Sequence, residues 1–222
     1  MIITEQKPID QIKSMVKPFN KVFIIGCGTC STTCLTGGAE QVKEMASKLA
    51  GKKMEVIGTV VVEAPCDSRL LKRDTREKIS LIKEADAVLC MACGAGVQNV
   101  AEKIGKIIVP MLDTKFIGKT ERIGQFFERC RACGECILFE TGGICPVSRC
   151  PKNMLNGPCG GMYKGKCEVG NYEKDCVWVI IYDRLKKDGR LRLFNSFKSP
   201  RDFSRLDAVP RESVWVKGVN DE

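Results

Sequence analysis

The chain has 222 residues, 14 cysteines, no histidine and a formal net charge of +9. Without imidazole, acid–base catalysis and metal binding through histidine are both excluded, so sulfur must carry any soft-metal chemistry. A chain of this length buries a core without covalent staples. Together with CxxC spacings, a start (MIITEQKPID) lacking an apolar h-region or cleavage site, and no apolar run long enough to span a bilayer, this argues against a secreted disulfide scaffold and for a cytoplasmic protein with no membrane span.

A short helix is expected around Ile9–Val16. Residues 21–26 (KVFIIG) form an apolar run ending in glycine, read as a buried strand. Helical spacing from about Gly38 to Ala50 puts Val42, Met45, Ala46 and Leu49 on one face, with Gly51 as the stop. Residues 54–62 (MEVIGTVVV) read as a second strand, and a charged helix follows from about Arg69 to Ala85. Then come AVLCMA (87–92), a helix near Val97–Ile104 and KIIVPML (106–112). This alternation predicts an α/β domain with a flavodoxin- or Rossmann-like parallel sheet and helices on both faces.

On that fold the cysteines fall into place. Cys27 follows the first strand, Cys30 and Cys34 lie in the loop behind it, Cys66 follows the second strand, and Cys90 and Cys93 close the third. Ligands of open parallel sheets collect beyond the carboxyl ends of the strands, so three loops deliver sulfur to one edge. Six sulfurs exceed the four that a cluster needs. Cys30, Cys34, Cys66 and Cys93 are the expected ligands, with Cys27 as first substitute and Cys90 as a buried apolar residue. The loop Gly26-Cys-Gly28-Thr-Cys-Ser31 approaches a dinucleotide fingerprint, but serine replaces the third small residue and the acid expected at the end of strand two is missing.

From Cys130 to Cys176 regular periodicity disappears, and eight cysteines fall in about 47 residues. Cys130-x2-Cys133-x2-Cys136 is a ferredoxin-like run, and Cys145-Pro146 and Cys150-Pro151 resemble the Cys-Pro that closes such runs. A segment so rich in loops requires metal to fold, which predicts a cysteine-dense metal-cluster module. Cys130, Cys133 and Cys136 would share one site with a remote ligand such as Cys176, leaving Cys145, Cys150, Cys159 and Cys167 for another. The metals implied are [4Fe–4S] clusters, two or three in all, with zinc possible in one site. Each cluster with its four thiolates carries about −2, so three would bring the chain to about +3. With aromatic residues at 6%, that leaves little case for a nucleic-acid partner.

Asp175 is the expected N-cap of a helix beginning at Cys176 and ended by Gly189, with Trp178, Ile181 and Leu185 as its stripe. Beyond it, Arg190, Arg192, Lys198, Arg201, Arg205 and Arg211 alternate with Leu193, Phe194, Phe197, Phe203, Leu206 and Trp215, a tail suited to docking. The divisions expected are 1–20, an N-terminal helix; 21–125, the α/β domain; 126–188, the cysteine-rich module; and 189–222, the basic aromatic tail.

The strings Cys130-Arg-Ala-Cys-Gly-Glu-Cys136, Thr141-Gly-Gly-Ile-Cys-Pro146, Asn156-Gly-Pro-Cys-Gly-Gly161, Gly165-Lys-Cys-Glu-Val169 and Cys176-Val-Trp178 together resemble the small iron–sulfur partner subunit of bacterial methylenetetrahydrofolate reductase. The likeness continues through Gly26-Cys-Gly-Thr-Cys30, Cys34 and Ala92-Cys-Gly94, covering about residues 20–193; Cys90 departs from the pattern. The resemblance implies an electron-transfer subunit of an oxidoreductase complex, not catalytic alone. In acetogens such a subunit pairs with a flavin-bearing catalytic subunit in one-carbon metabolism, the Wood–Ljungdahl pathway. The implied partners are that flavin-bearing subunit and an electron-donor protein. The alternative is a zinc-stabilised structural adaptor without a redox role. A radical enzyme would need Cys-x3-Cys-x2-Cys, whereas the loop at Cys27 reads the reverse.

Overall fold

A computed structural model of the protein describes residues 1–51 and 54–200. Arg201, Phe203, Arg205, Leu206, Arg211 and Trp215, expected in the tail, lie outside the described residues. The chain divides into two units, Met1–Glu128 and Arg129–Glu222. Among the described residues no helix is long and apolar enough to cross a membrane.

The first unit begins with strand β1 (Ile2–Gln6) and helix α1 (Ile9–Val16). The buried run Lys21–Cys27 forms β2, followed by one helical turn, α2 (Cys30–Thr33), and by α3 (Ala39–Leu49). Next come β3 (Glu55–Val62), α4 (Ser68–Thr75), a 3-10 turn, α5 (Ile79–Glu84), β4 (Ala87–Met91) and α6 (Gly94–Ile104). The unit continues with β5 (Ile107–Pro110), β6 (Leu112–Arg122) and most of β7 (Gln125–Cys130), whose last two residues belong to the second unit.

β2 to β5 form a four-stranded parallel sheet in the order β3-β2-β4-β5. Counting these four alone, the order is 2-1-3-4, which is flavodoxin-like as expected and puts the switch point between β2 and β4. Period-two alternation sends Val22, Ile24, Leu89 and Met91 to one face, where Ile12 and Val16 of α1 and Val42, Met45 and Leu49 of α3 cover them. Phe23, Ile25, Val88 and Cys90 face the other way, against Leu71, Ile82 and Val100. Helices thus lie on both faces.

The helix ends are chemically marked. The Asp67 carboxylate accepts the N–H groups of Arg69 at 2.8 Å and Leu70 at 3.4 Å, capping α4. Gly105 ends α6 at φ +66, where a side chain would be strained. Between β2 and β3 the register shifts by one residue: Val22 pairs with Val56 but Phe23 pairs with Gly58, leaving Ile57 as the extra residue. A side chain at Gly58 would collide with the Phe23 ring.

Three expectations change. A separate antiparallel sheet, in the order β1-β6-β7, stands beside the parallel one. The run 106–112 is not one strand; it breaks at Met111, whose N–H bonds to Cys90 O at 2.9 Å, and the chain passes from one sheet to the other. The charged helix 69–85 is interrupted by the 3-10 turn at Arg76–Lys78.

Among its described residues the second unit is loop-rich, with a short helix α7 (Pro146–Arg149) and a longer helix α8 (Val177–Lys187). The N-cap of α8 is Cys176 rather than Asp175, because Asp175 is drawn off into a bridge with Lys166. The α8 stripe is core: Trp178, Ile181 and Leu185 bury with Ile144, Cys150 and Cys176. Trp178 is 4% exposed, its indole N–H donates to Met154 O at 3.0 Å, and its ring meets Phe194 edge-on at 5.9 Å.

Candidate functional site

The carboxyl edge of the parallel sheet is the first candidate. Cys27 is the last residue of β2, paired with Val62 of β3. Its N–H bonds to Gly37 O at 2.9 Å, so the loop between them folds back over the strand end. Gly37 is required there: a Cβ would run into the Met91 carbonyl at the end of β4. Inside the loop, Thr32 Oγ1 donates to Cys27 O at 2.7 Å, and Cys27 Sγ lies 3.5 Å from Thr29 Oγ1.

Cys93 arrives from β4 as the N-cap of α6, so its backbone stands at the positive end of an 11-residue helix. The next N–H, Gly94, is held by Thr114 Oγ1 at 2.9 Å. Cys66 comes from the loop after β3 and alone among the six N-terminal cysteines is exposed. Partial desolvation of its sulfur pushes the Cys66 thiol up, and charge coupling to Cys93, Cys27 and Cys30 acts in the same direction. Cys66 thus lies within reach of those three sulfurs, as the buried Cys90 does of Cys27 and Cys93.

Cys30 and Cys34 stand one helical turn apart, joined by Cys34 N–H to Cys30 O at 3.0 Å, and both sulfurs reach Ile2 of β1. Cys30 Sγ accepts the Ile2 N–H at 3.4 Å, and Cys34 Sγ lies 3.8 Å from Ile2 O. Cys90 is fully buried in the middle of the sheet, where loss of solvent pushes its thiol up to about 12. It is a core residue that packs with Phe23 and Val88.

By its chemistry a thiol-only donor set suits a soft metal core, and all fourteen cysteines are free thiols. Thiolates gathered this way repel one another until a cationic metal core reverses the sign. Among the described residues no three or more Cys, Asp or Glu side chains draw together tightly enough for a single metal ion. A polynuclear cluster spaces its ligands further apart than one ion does.

In the second unit the Cys130 run curls on itself. Ala132 and Gly134 take left-handed φ values of +51 and +78, and the Ala132 N–H donates to Cys130 Sγ at 3.3 Å. Ser148 Oγ bonds to Arg129 O at 3.0 Å and Arg131 to Asn153 Oδ1 at 3.2 Å, so Cys130 is flanked by links to the segment carrying Cys145 and Cys150. Cys133 and Cys136 follow in the same loop, half-buried and exposed respectively.

Cys167 and Cys176 lie on neighbouring backbone, joined by Cys167 N–H to Lys174 O at 2.9 Å and Cys176 N–H to Gly165 O at 2.8 Å. Cys159 Sγ is 3.7 Å from Glu168 Oε1, the side chain next to Cys167. Sequence reasoning missed two supporting residues. Ile2 contacts both Cys30 and Cys34, and no local signal marks it. Asn156 grips Lys198 through both backbone groups, donating to its O at 2.8 Å and accepting its N–H at 2.7 Å.

No curated protein matches the chain. Two solved structures, titled "Structure of unliganded arylmalonate decarboxylase" and "Crystal structure of arylmalonate decarboxylase", align at 13% and 14% identity with TM-scores of 0.32 and 0.31. Each alignment covers 46% of this chain and 46% of the other, less than half its length. Residues 109–204 match the family described as "Methylene-tetrahydrofolate reductase C terminal". That match takes in all eight cysteines from Cys130 to Cys176 and relates this part of the chain to methylenetetrahydrofolate reductase.

Proposed function

We propose that this chain is the iron–sulfur electron-transfer subunit of a methylenetetrahydrofolate reductase complex, relaying electrons between a donor protein and a flavin-bearing catalytic subunit. The observation that supports the reading is that β2, β3 and β4 lead to Cys27, Cys66 and Cys93 at the carboxyl edge of one parallel sheet, with Cys30 and Cys34 in the loop after β2. The family match over the cysteine-rich segment supports the choice of complex.

Cys30, Cys66 and Cys93, with Cys34 or Cys27 as the fourth ligand, would hold one [4Fe–4S] group, and the curled Cys130 run would hold another together with a sulfur from the Cys145–Cys150 segment. Cys159, Cys167 and Cys176, with the remaining member of that segment, form the third set. Such groups supply one-electron chemistry at low potential when bound. The protein's part is to wall the sulfurs with Val62 and Ala92, to keep Cys66 at the surface, and to aim N–H groups at sulfur, as Ile2 does at Cys30 and Ala132 at Cys130.

Metal content and the visible spectrum after anaerobic purification test this reading. The expected result is broad absorbance near 400 nm, bleached by dithionite, with about 8–12 iron atoms per chain. A colourless protein holding zinc would replace the relay with the adaptor. Flavin reduction by a reduced viologen, measured with and without this chain, then tests the relay in the complex.

A further inference from the structure

Two of the grooves among the described residues of the α/β unit differ in place and lining. The smaller, about 380 Å³, is bordered by Phe19, Asn20 and Met54, which precede β2 and β3, so it lies at the sheet edge opposite the cysteines. The larger, about 630 Å³, runs between α4 and α6. Leu71, Ile79 and Ile104 give it an apolar floor, and Ile79 is 43% exposed. Arg69, Lys72, Arg76 and Lys103 stand around it, and no acidic residue lines it.

Arg69 is paired with Asp67. Lys72, Arg76 and Lys103 have no ion-pair partner among the described residues. Three cations without counter-charges over exposed apolar surface complement a partner that presents carboxylates around an apolar ridge. The groove also starts at the cysteine edge. Ser68 is in its wall, two residues beyond the exposed Cys66. Ser68 Oγ bonds to Asn99 Oδ1 at 2.7 Å and Asn99 donates to Pro65 O at 2.7 Å, so the Cys66 loop is fastened to α6 at the groove's mouth.

We infer that this groove is the docking site for a small acidic electron-carrier protein, whose apolar ridge sits on Leu71, Ile79 and Ile104 and whose carboxylates meet Lys72, Arg76 and Lys103. The inference rests on the relay reading and names the donor's class and its point of contact. Each docking event passes one electron: the carrier is oxidised by one and this chain reduced by one, with no bond made or broken. Complementary charge speeds encounter, and a contact of modest area releases the spent carrier.

The test uses the full chain, purified anaerobically and titrated with an oxidised bacterial two-[4Fe–4S] ferredoxin by calorimetry at low and high ionic strength. The variant K72E/R76E/K103E should bind about tenfold or more weakly at low salt. The difference should shrink at high salt, where charges are screened. Ile79→Ser should weaken binding at both, and K13E/K17E, at the other groove, should behave as wild type. Absence of salt-sensitive binding, or equal weakening by the two charge-reversal variants, would overturn the inference. So would loss of flavin-subunit binding in the triple variant with carrier binding intact. Because the carrier is oxidised, binding is read without electron transfer. Tight groove-dependent binding followed by no transfer from the reduced carrier would sustain the docking site and sink the relay.

Discussion

The backbone N–H of Ile2 points at the sulfur of Cys30 across 3.4 Å, while the carbonyl of the same residue lies 3.8 Å from the sulfur of Cys34. One residue of β1 thus touches both ends of the helical turn α2. β1 is an edge strand, and this N–H points away from its ladder with β6. Ile2→Pro should therefore leave the ladder intact while removing a donor worth about 1 kcal/mol to a thiolate. Potentiometry of the purified protein should show one centre shifted to lower potential, with the others unmoved.

Serine is a harder, poorer ligand for iron than cysteine. Cys66→Ser should lower iron by about four atoms per chain and leave the C-terminal sites intact. Cys133→Ser should lose a similar amount and also lower the melting temperature of the second unit, as coupling of metal binding to folding would require. Cys90→Ala should leave iron unchanged, since that thiol is core. Metal analysis of the three variants side by side decides the assignment.

Gly37 sits where a side chain would strike the Met91 carbonyl, a backbone atom that cannot swing aside. Gly37→Ala should destabilise the first unit by roughly 2–4 kcal/mol. Thermal denaturation followed by circular dichroism measures this. If the loop shifts to relieve the clash, the iron held by the N-terminal cysteines should fall as well.

Asp86 accepts the N–H groups of Lys21 and Asn20, each at 2.8 Å, and these bonds hold its carboxyl below the usual carboxylate range. A depressed folded value means the stabilisation is present above the unfolded pKa of about 3.9 and is lost as pH falls through the folded one. Wild type should thus exceed Asp86→Asn in stability at neutral pH, and the two should converge in strong acid. Denaturant midpoints across that range are the readout.

The Asn156 side chain reads the backbone of Lys198 like a neighbouring strand. Asn156→Ala should loosen the segment after α8 at a cost of about 1 kcal/mol per hydrogen bond lost. Faster cleavage near Lys198 in limited proteolysis, with iron content unchanged, is the expected outcome.

What was legible in the sequence was local. β2, β3 and β4 announce themselves as β-branched or apolar runs, and α1, α3 and α8 as apolar stripes with stops, so their edges fall within a residue or two of expectation. The α6 helix starts three residues earlier than Val97, because Cys93 serves as its cap. The antiparallel sheet was not legible. Ile2–Gln6 is short and half polar, and its partner Ile117 is far along the chain, so no local pattern links them. The convergence of sulfur at one sheet edge followed from topology alone. Which four of them would share a metal is not legible from local pattern, because Cys30 and Cys34 both reach Ile2 of β1 while Cys27 ends β2 and Cys93 caps α6.

The extra residue at Ile57 is carried by β3 without a partner on β2, and the two strands still end level at Cys27 and Val62. Because Val22–Val56 and Phe23–Gly58 pair on either side of it, deleting Ile57 should close the bulge and leave both halves of β3 facing as they do. The depth at which the chain leaves β3 toward Cys66 is therefore set by the ladder from Phe23–Gly58 to Cys27–Val62, and an insertion or deletion inside that stretch, not at the bulge, is what would move the thiol.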